Sequence, residues 1–313
     1  MIRHSLTLFL LAAVFVGCNP KAYDIDSCVS YEPTESYIQN LPSSFDPLSP
    51  EEQQTDWGRE LHIANRFGPD LDLYRAITGY KRALILIPDD NVRRNQIEYD
   101  ILYSYFLADK YQEVVENFEK GTLSQVLQEF PAFKDLLVIL FFSYDKVNNP
   151  YRRDAILQLI FQHDPQLAED LQMSLAISEG NLCEIANLEH RQSQGYRDII
   201  CQYQSQTLSV QKAQIYNALL PGAGYLYTGQ KRTAITAFLL NAAFITASYE
   251  LFHNGYPAAG VIMTSLEFGW YFGGINGAGL SAKYYNDQVY NCYAREVMQD
   301  QHLFPILMLQ RAF

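Results

Sequence analysis

The chain has 313 residues, 48% of them hydrophobic and 19% charged, with a net charge of −12. That balance excludes a disordered chain, and the acidic excess argues against a nucleic-acid partner, which calls for a basic surface. Residues 206–313 hold six basic side chains (Lys212, Lys231, Arg232, Lys283, Arg295, Arg311) and five acidic ones (Glu250, Glu267, Asp287, Glu296, Asp300), which leaves 17 basic and 30 acidic in the first 205. The N-terminal part is therefore strongly acidic and the C-terminal part nearly neutral, so the two face different surroundings or partners.

Met1-Ile2-Arg3-His4 precede an apolar run from Leu6 to Val16. The run is about half the length of a bilayer-spanning helix. A basic start, a short apolar stretch and a small residue before a cut are the parts of a secretory signal. Phe15-Val16-Gly17-Cys18 resembles a bacterial lipobox, with Phe15 and Val16 where that pattern usually has Leu and a small residue. The resemblance implies that residues 1–17 are a signal peptide and that Cys18 becomes the lipidated (diacylglycerol and palmitate-type) N-terminus. It places the protein in a bacterial envelope, facing the periplasm. Asn19 stands where an Asp would favour the inner membrane, which tilts the expectation to the outer membrane. An ordinary signal peptide, or a short anchor, with a coincidental cysteine is the alternative.

Residues 18–48 read as a tether, because Pro20, Pro33, Pro42 and Pro47 break any regular element. The first helix begins at Ser49, with Pro50 at its first position and Glu52 completing a capping box. From 49 to 209 apolar residues recur at spacings of three and four, and no convincing strand interrupts them: Leu61 and Ala64; Tyr74 and Ile77; Ile97, Ile101 and Tyr105. Ala76, Tyr80, Ala83 and Pro88 have the spacing of the second helix of a tetratricopeptide repeat, in which small residues let two helices approach and an aromatic ring fills the gap. Looser copies use Ile101, Leu102 and Tyr105 with Val114, Phe118 and Gly121, then 132–144 with Ala155, Leu159 and Pro165, then 175–186 with 196–203. The segment thus resembles tetratricopeptide arrays, and the resemblance implies a groove for peptides or partner helices of other envelope proteins. An irregular helical bundle is the alternative.

Past Tyr216 the composition changes. Pro221-Gly222-Ala223-Gly224-Tyr225-Leu226-Tyr227-Thr228-Gly229 resembles a Pro-Gly-x-Gly-x-x-Tyr-x-Gly motif that opens a class of small bacterial membrane domains, in which two hydrophobic helices follow. Here they are 233–252 and 257–275, joined by His253-Asn254-Gly255-Tyr256, in a Gly-rich hairpin domain of 210–285. Tyr225, Tyr227, Lys231 and Arg232 are the candidate membrane-contacting residues, since amphipathic rings and cations suit an interface. Gly269, Gly273 and Gly277 share one helix face and allow close helix packing. Asn241, Thr246, Ser248, Glu250 and Glu267 interrupt the apolar runs, and a carboxylate at mid-bilayer costs about 2.5–3.5 kcal/mol. Three placements stay open: a hairpin in or against one leaflet, a true span, or a hairpin buried in a soluble helical domain. Residues 286–313 read as a further helix and a tail docking on the hairpin.

Cys28, Cys183, Cys201 and Cys292 remain after Cys18. Pairs 183–201 and 28–292, or four buried free thiols, fit equally. No Cys or His spacing suits a metal, and no cofactor motif is present. The expected fold is all-α, a tetratricopeptide-like hairpin array followed by the Gly-rich hydrophobic hairpin. The expected function is that of a non-catalytic interaction scaffold at an envelope membrane, in assembly, transport or secretion. The alternative is a lipid handler or enzyme using Glu250, Glu267 and His253.

Overall fold

The computed structural model describes residues 25–89, 92–189 and 195–313, so Cys18 and the signal segment lie outside the described residues. The fold is all-α. Among the described residues the only β-type pairing is one isolated bridge, Ser43 with Ala312. The chain divides into two compact units. The larger takes residues 29–178, 182–196 and 294–313; the smaller takes 25–28, 179–181 and 197–293.

In the larger unit the helices are α1 (Glu35–Asn40), α2 (Pro50–Gln54), α3 (Asp56–Phe67), α4 (Leu73–Leu86), α5 (Arg93–Leu107), α6 (Tyr111–Lys120), α7 (Phe133–Lys146), α8 (Pro150–His163), α9 (Pro165–Ser178) and α10 (Leu182–Glu189). Successive helices pack as hairpins. In the pair α3–α4, Ala76, Tyr80 and Ala83 are buried with Leu61 and Ala64. A methyl group at Gly79 would meet the Ala64 Cβ at 2.9 Å, so the helices approach as closely as small residues permit. The tight turns before α6 and α8 use Asp109 and Asn148 at φ 56°, a conformation that their short polar side chains tolerate. Asp100 of α5 is buried with neither carboxyl oxygen hydrogen-bonded, and burial holds it well above the ordinary carboxylate range.

Ser49 caps α2 in a reciprocal capping box with Glu52, at 2.7 and 3.2 Å. The helix ends after Gln54 and Thr55 recaps the chain into α3, a break the sequence pattern did not show. Arg93 reaches back from α5 to Glu52 at 2.9 Å and to the carbonyl oxygens of Asp46 and Pro47. Its guanidinium holds the Glu52 carboxyl below the usual range.

Three expectations are corrected here. Residues 29–48 are not a free tether: Ile38 on α1 is buried, and Phe45 packs on Tyr99 and Phe130. The prolines separate short packed pieces instead of keeping the segment extended. The helix expected over 175–186 is interrupted, because Gly180 at φ 69° makes a turn between α9 and α10. The C-terminal tail docks on the array, not on the hairpin. Leu303, Phe304, Leu309 and Ala312 are buried in the larger unit. Phe304 stacks on Tyr31, the Ala312 amide donates to the Pro42 carbonyl at 3.0 Å, and Phe313 packs against Tyr80 and Tyr103 with ring centroids 6.1 and 4.8 Å away.

The smaller unit holds α11 (Gly195–Gln206), α12 (Val210–Leu219), α13 (Ala223–Tyr227), α14 (Lys231–His253) and the first part of α15 (Pro257–Asp300). The separate helix expected from Asn286 is the uninterrupted last part of α15, since no glycine or proline breaks the chain there.

Two predictions follow from the docked tail. Phe313→Ala removes a ring from the α4–α5 core and should lower the unfolding free energy of the larger unit by about 2–3 kcal/mol, read by urea denaturation. Asp135 on α7 accepts the Gln310 amide at 3.1 Å, and its second oxygen is buried without a partner. Burial pushes this carboxyl from 3.8 up to about 6. A raised acid pKa means that the native state is favoured while the group is protonated. The resulting destabilisation is absent below pH 4, grows between pH 4 and 6, and is complete above pH 6. Asp135→Asn should therefore stabilise the protein at pH 8 by up to about 3 kcal/mol, with the gain vanishing below pH 4 in Tm measurements across pH.

Candidate functional site: the glycine-rich hairpin

The Pro221–Gly229 motif is a corner that sets α14 against α12 and α15. Gly222, at φ 93°, turns the chain where a side chain would strike the Ala234 carbonyl oxygen at 2.3 Å. Its amide donates to the Oδ1 of buried Asn217 at 2.8 Å. Gly224 lies pressed between α12 and α15: a methyl there would meet the Ala213 carbonyl oxygen at 2.2 Å and the Ala278 Cβ at 2.7 Å. Thr228 shares a 2.7 Å hydrogen bond with Ser281 of α15. Gly229, at φ 82°, frees the chain to start α14.

Beyond this corner the hairpin is built inside out. On α14, Ile235, Phe238, Leu239, Ile245, Tyr249 and Phe252 are 46–65% exposed. On α15, Val261, Ile262, Leu266, Phe268 and Trp270 are 49–63% exposed. The buried positions are small or polar. On α14 they are Ala234, Asn241 and Ser248, spaced by seven; on α15 they include Gly260 and Glu267, again seven apart. Spacing by seven keeps residues on one helix face, so each arm turns a polar seam inward. Asn241, Ser248 and Glu267 are no more than 9% exposed. Asn241 Oδ1, Ser248 Oγ and both Glu267 carboxyl oxygens have no hydrogen-bond partner. Among the described residues one helix, α14, is long and apolar enough to cross a membrane.

Sequence reasoning overlooked this seam, although the recurrence of Ala234, Asn241 and Ser248 was its available signal. Of the four candidate membrane-contacting residues, Lys231 and Arg232 stand exposed at the start of α14. Tyr225 and Tyr227 are half-buried and turn onto the protein: Tyr225 presents its hydroxyl to Gly277, and Tyr227 accepts the Ser209 amide and packs edge-on to Tyr216. Leu226 between them points outward. Of the glycine stripe, only Gly277 is closely approached; nothing lies within 4 Å of a side chain added at Gly269 or Gly273. Cys28, Cys183, Cys201 and Cys292 are exposed free thiols, where the alternative to disulfides expected buried ones.

The carboxylates do not make a pair. Glu250 is exposed beside the turn and accepts from Asn254, while Glu267 is buried midway along its arm. His253 stacks on Tyr249. Among the described residues no cluster of three or more His, Cys, Asp or Glu could hold a metal ion. A cavity of about 400 Å³ lies in the larger unit, where Lys134 pairs with Asp164 at 2.8 Å near Asp135, His163 and Arg311. No protein-family model, curated protein or solved structure matches the chain.

The corner glycines separate into two kinds, and substitution should tell them apart. Gly224→Ala should open the corner and expose the chain beside Lys231 and Arg232 to trypsin. Gly229→Ala meets no atoms and should cost only about 1 kcal/mol for its left-handed backbone, leaving the digestion pattern unchanged.

Proposed function

We propose that the protein is a bacterial envelope lipoprotein, lipidated at Cys18 and facing the periplasm, that acts as a non-catalytic scaffold for other envelope proteins. The smaller unit is its membrane element and the helical array its partner-binding element. The observation that carries this reading is the outward apolar surface of α14 and the first half of α15. Burying a large apolar side chain gains about 1.5–3 kcal/mol, and eleven such side chains stand partly exposed here. An apolar surface of that extent calls for lipid or a partner, and the inward polar seam is the arrangement that suits lipid. Stacked helical hairpins are a common platform for peptide and helix recognition, and the acidic charge of the first 205 residues favours basic or polar partners. The separation of Glu250 from Glu267 gives the lipid-handling or enzymatic alternative no acid–base pair to work with.

Fractionation tests the membrane element. With Cys18→Ala behind a cleavable signal, the unlipidated protein should remain in the membrane pellet through an alkaline carbonate wash. Release into the supernatant would leave the lipid as the sole anchor and remove the hairpin from this role.

A further inference from the structure

The levels of the hairpin carry the membrane reading one step further, and the step rests on that reading. The Thr228–Ser281 hydrogen bond and the approach of Gly224 to Ala278 fix the base of the hairpin at Lys231 on α14 and near Ser281 on α15. The tip is the turn at Asn254-Gly255-Tyr256, with Gly255 at φ 80°. At 1.5 Å per residue each arm is about 35 Å long. The hydrocarbon core of a bilayer is about 30 Å thick.

Charge and aromatic character follow the same levels. No charged residue occurs from 233 to 249 on α14, and Glu267 is the only one from 257 to 282 on α15. Glu267 is turned into the seam, so the cost that a lipid-facing carboxylate would carry does not apply to it in that form. Polar and aromatic residues gather at both ends: Lys231, Arg232, Lys283 and exposed Tyr284 at the base, and Tyr249, Glu250, His253 and Tyr256 at the tip. Two such belts separated by an apolar stretch are the pattern of two membrane interfaces.

We infer that the hairpin crosses the bilayer completely, α14 as its apolar arm and the less apolar first half of α15 carried across against it, with the 254–256 turn emerging on the face opposite the base. The first described residues belong to the base side. Asp26 pairs with Lys283, and the Cys28 amide donates to Asn291 Oδ1 at 2.9 Å, just past the base of the hairpin. Cys18 lies seven residues before Ile25, a reach of at most about 25 Å. Lys and Arg collect at the base and are absent from the tip, a bias that by itself would hold the base on the cytoplasmic side. Export by the signal segment sets the opposite orientation, base outside and tip in the cytoplasm, and so assigns the hairpin to the inner membrane.

Accessibility labelling of the full-length protein tests this. Cys28, Cys183, Cys201 and Cys292 are replaced by Ser, and either Gln230→Cys at the base or Asn254→Cys at the tip is added. Cells with a permeabilised outer membrane are treated with a membrane-impermeant maleimide before and after the inner membrane is opened. The base variant should label at once, and the tip variant should show a loss of labelling until the inner membrane is opened. Labelling of both positions before opening would overturn the crossing, whether the hairpin lies along the surface or is covered by a second copy or another protein. Protection of the tip from both sides would overturn it in favour of a hairpin ending within one leaflet. The reverse order would keep the crossing and overturn the assigned orientation. Carbonate extraction of the same variants separates these outcomes from failure of the membrane reading itself.

Discussion

Apolar side chains must leave water somewhere, and the two units solve this in opposite directions. In the larger unit they turn inward, and the rings of Tyr80, Tyr99, Tyr103 and Phe141 fill the spaces between helices. In the hairpin they turn outward and leave Asn241, Ser248 and Glu267 inside. Folded proteins are stable by only about 5–15 kcal/mol. The free energy forfeited by leaving the outer face of the hairpin in water is of that same order. The outer face of the hairpin is therefore best served by apolar surroundings, and the proposed membrane role rests on that demand more than on any single residue.

The polar interior has a structural consequence of its own. In the proposed lipid setting the tails offer no hydrophobic drive to bring two helices together, so contact would come from close packing and hydrogen bonds. The glycine corner supplies both. Gly222 and Gly224 allow backbone contact, and Asn217 and Thr228 tie α12 and α13 to their neighbours. Tyr225 and Tyr227, which would be interface anchors if they faced outward, are spent on this packing. The motif is best understood as the hinge-pin of the hairpin and not as a ligand site.

Much of the array was legible because its determinants are local. Ala76, Tyr80 and Ala83 announce a close helix pair by spacing alone, and Ser49 with Glu52 announces a cap. The docked tail was not legible. Its anchors join Phe313 to Tyr80 and Tyr103, and Gln310 to Asp135, across more than 150 residues, and no periodicity records such contacts. The same limit explains the misread tether: Pro33, Pro42 and Pro47 look like breakers, yet Ile38 is buried and Phe45 half-buried against distant helices. In the hairpin, counting polar residues gave the depth of Glu267 but not its direction. Direction required noticing that Asn241 and Ser248 are seven apart, as Gly260 and Glu267 are.

The docked tail also constrains how the array can recruit a partner. Residues 303–313 pack across α4, α5 and α7, so those surfaces are already occupied by the chain itself. In the proposed scaffold role a partner would use faces that remain open, such as that of α4 where Tyr74 and Ile85 stand exposed. The acidic charge of this part acts at longer range. At physiological salt it is screened within about 8 Å, so it can favour the approach of a basic partner but holds it weakly. Several of its carboxylates are already engaged, Glu52 with Arg93, Asp145 with Arg153 and Asp164 with Lys134. In that proposed role charge selects which partners approach, and the open apolar side chains of the array decide which of them stay.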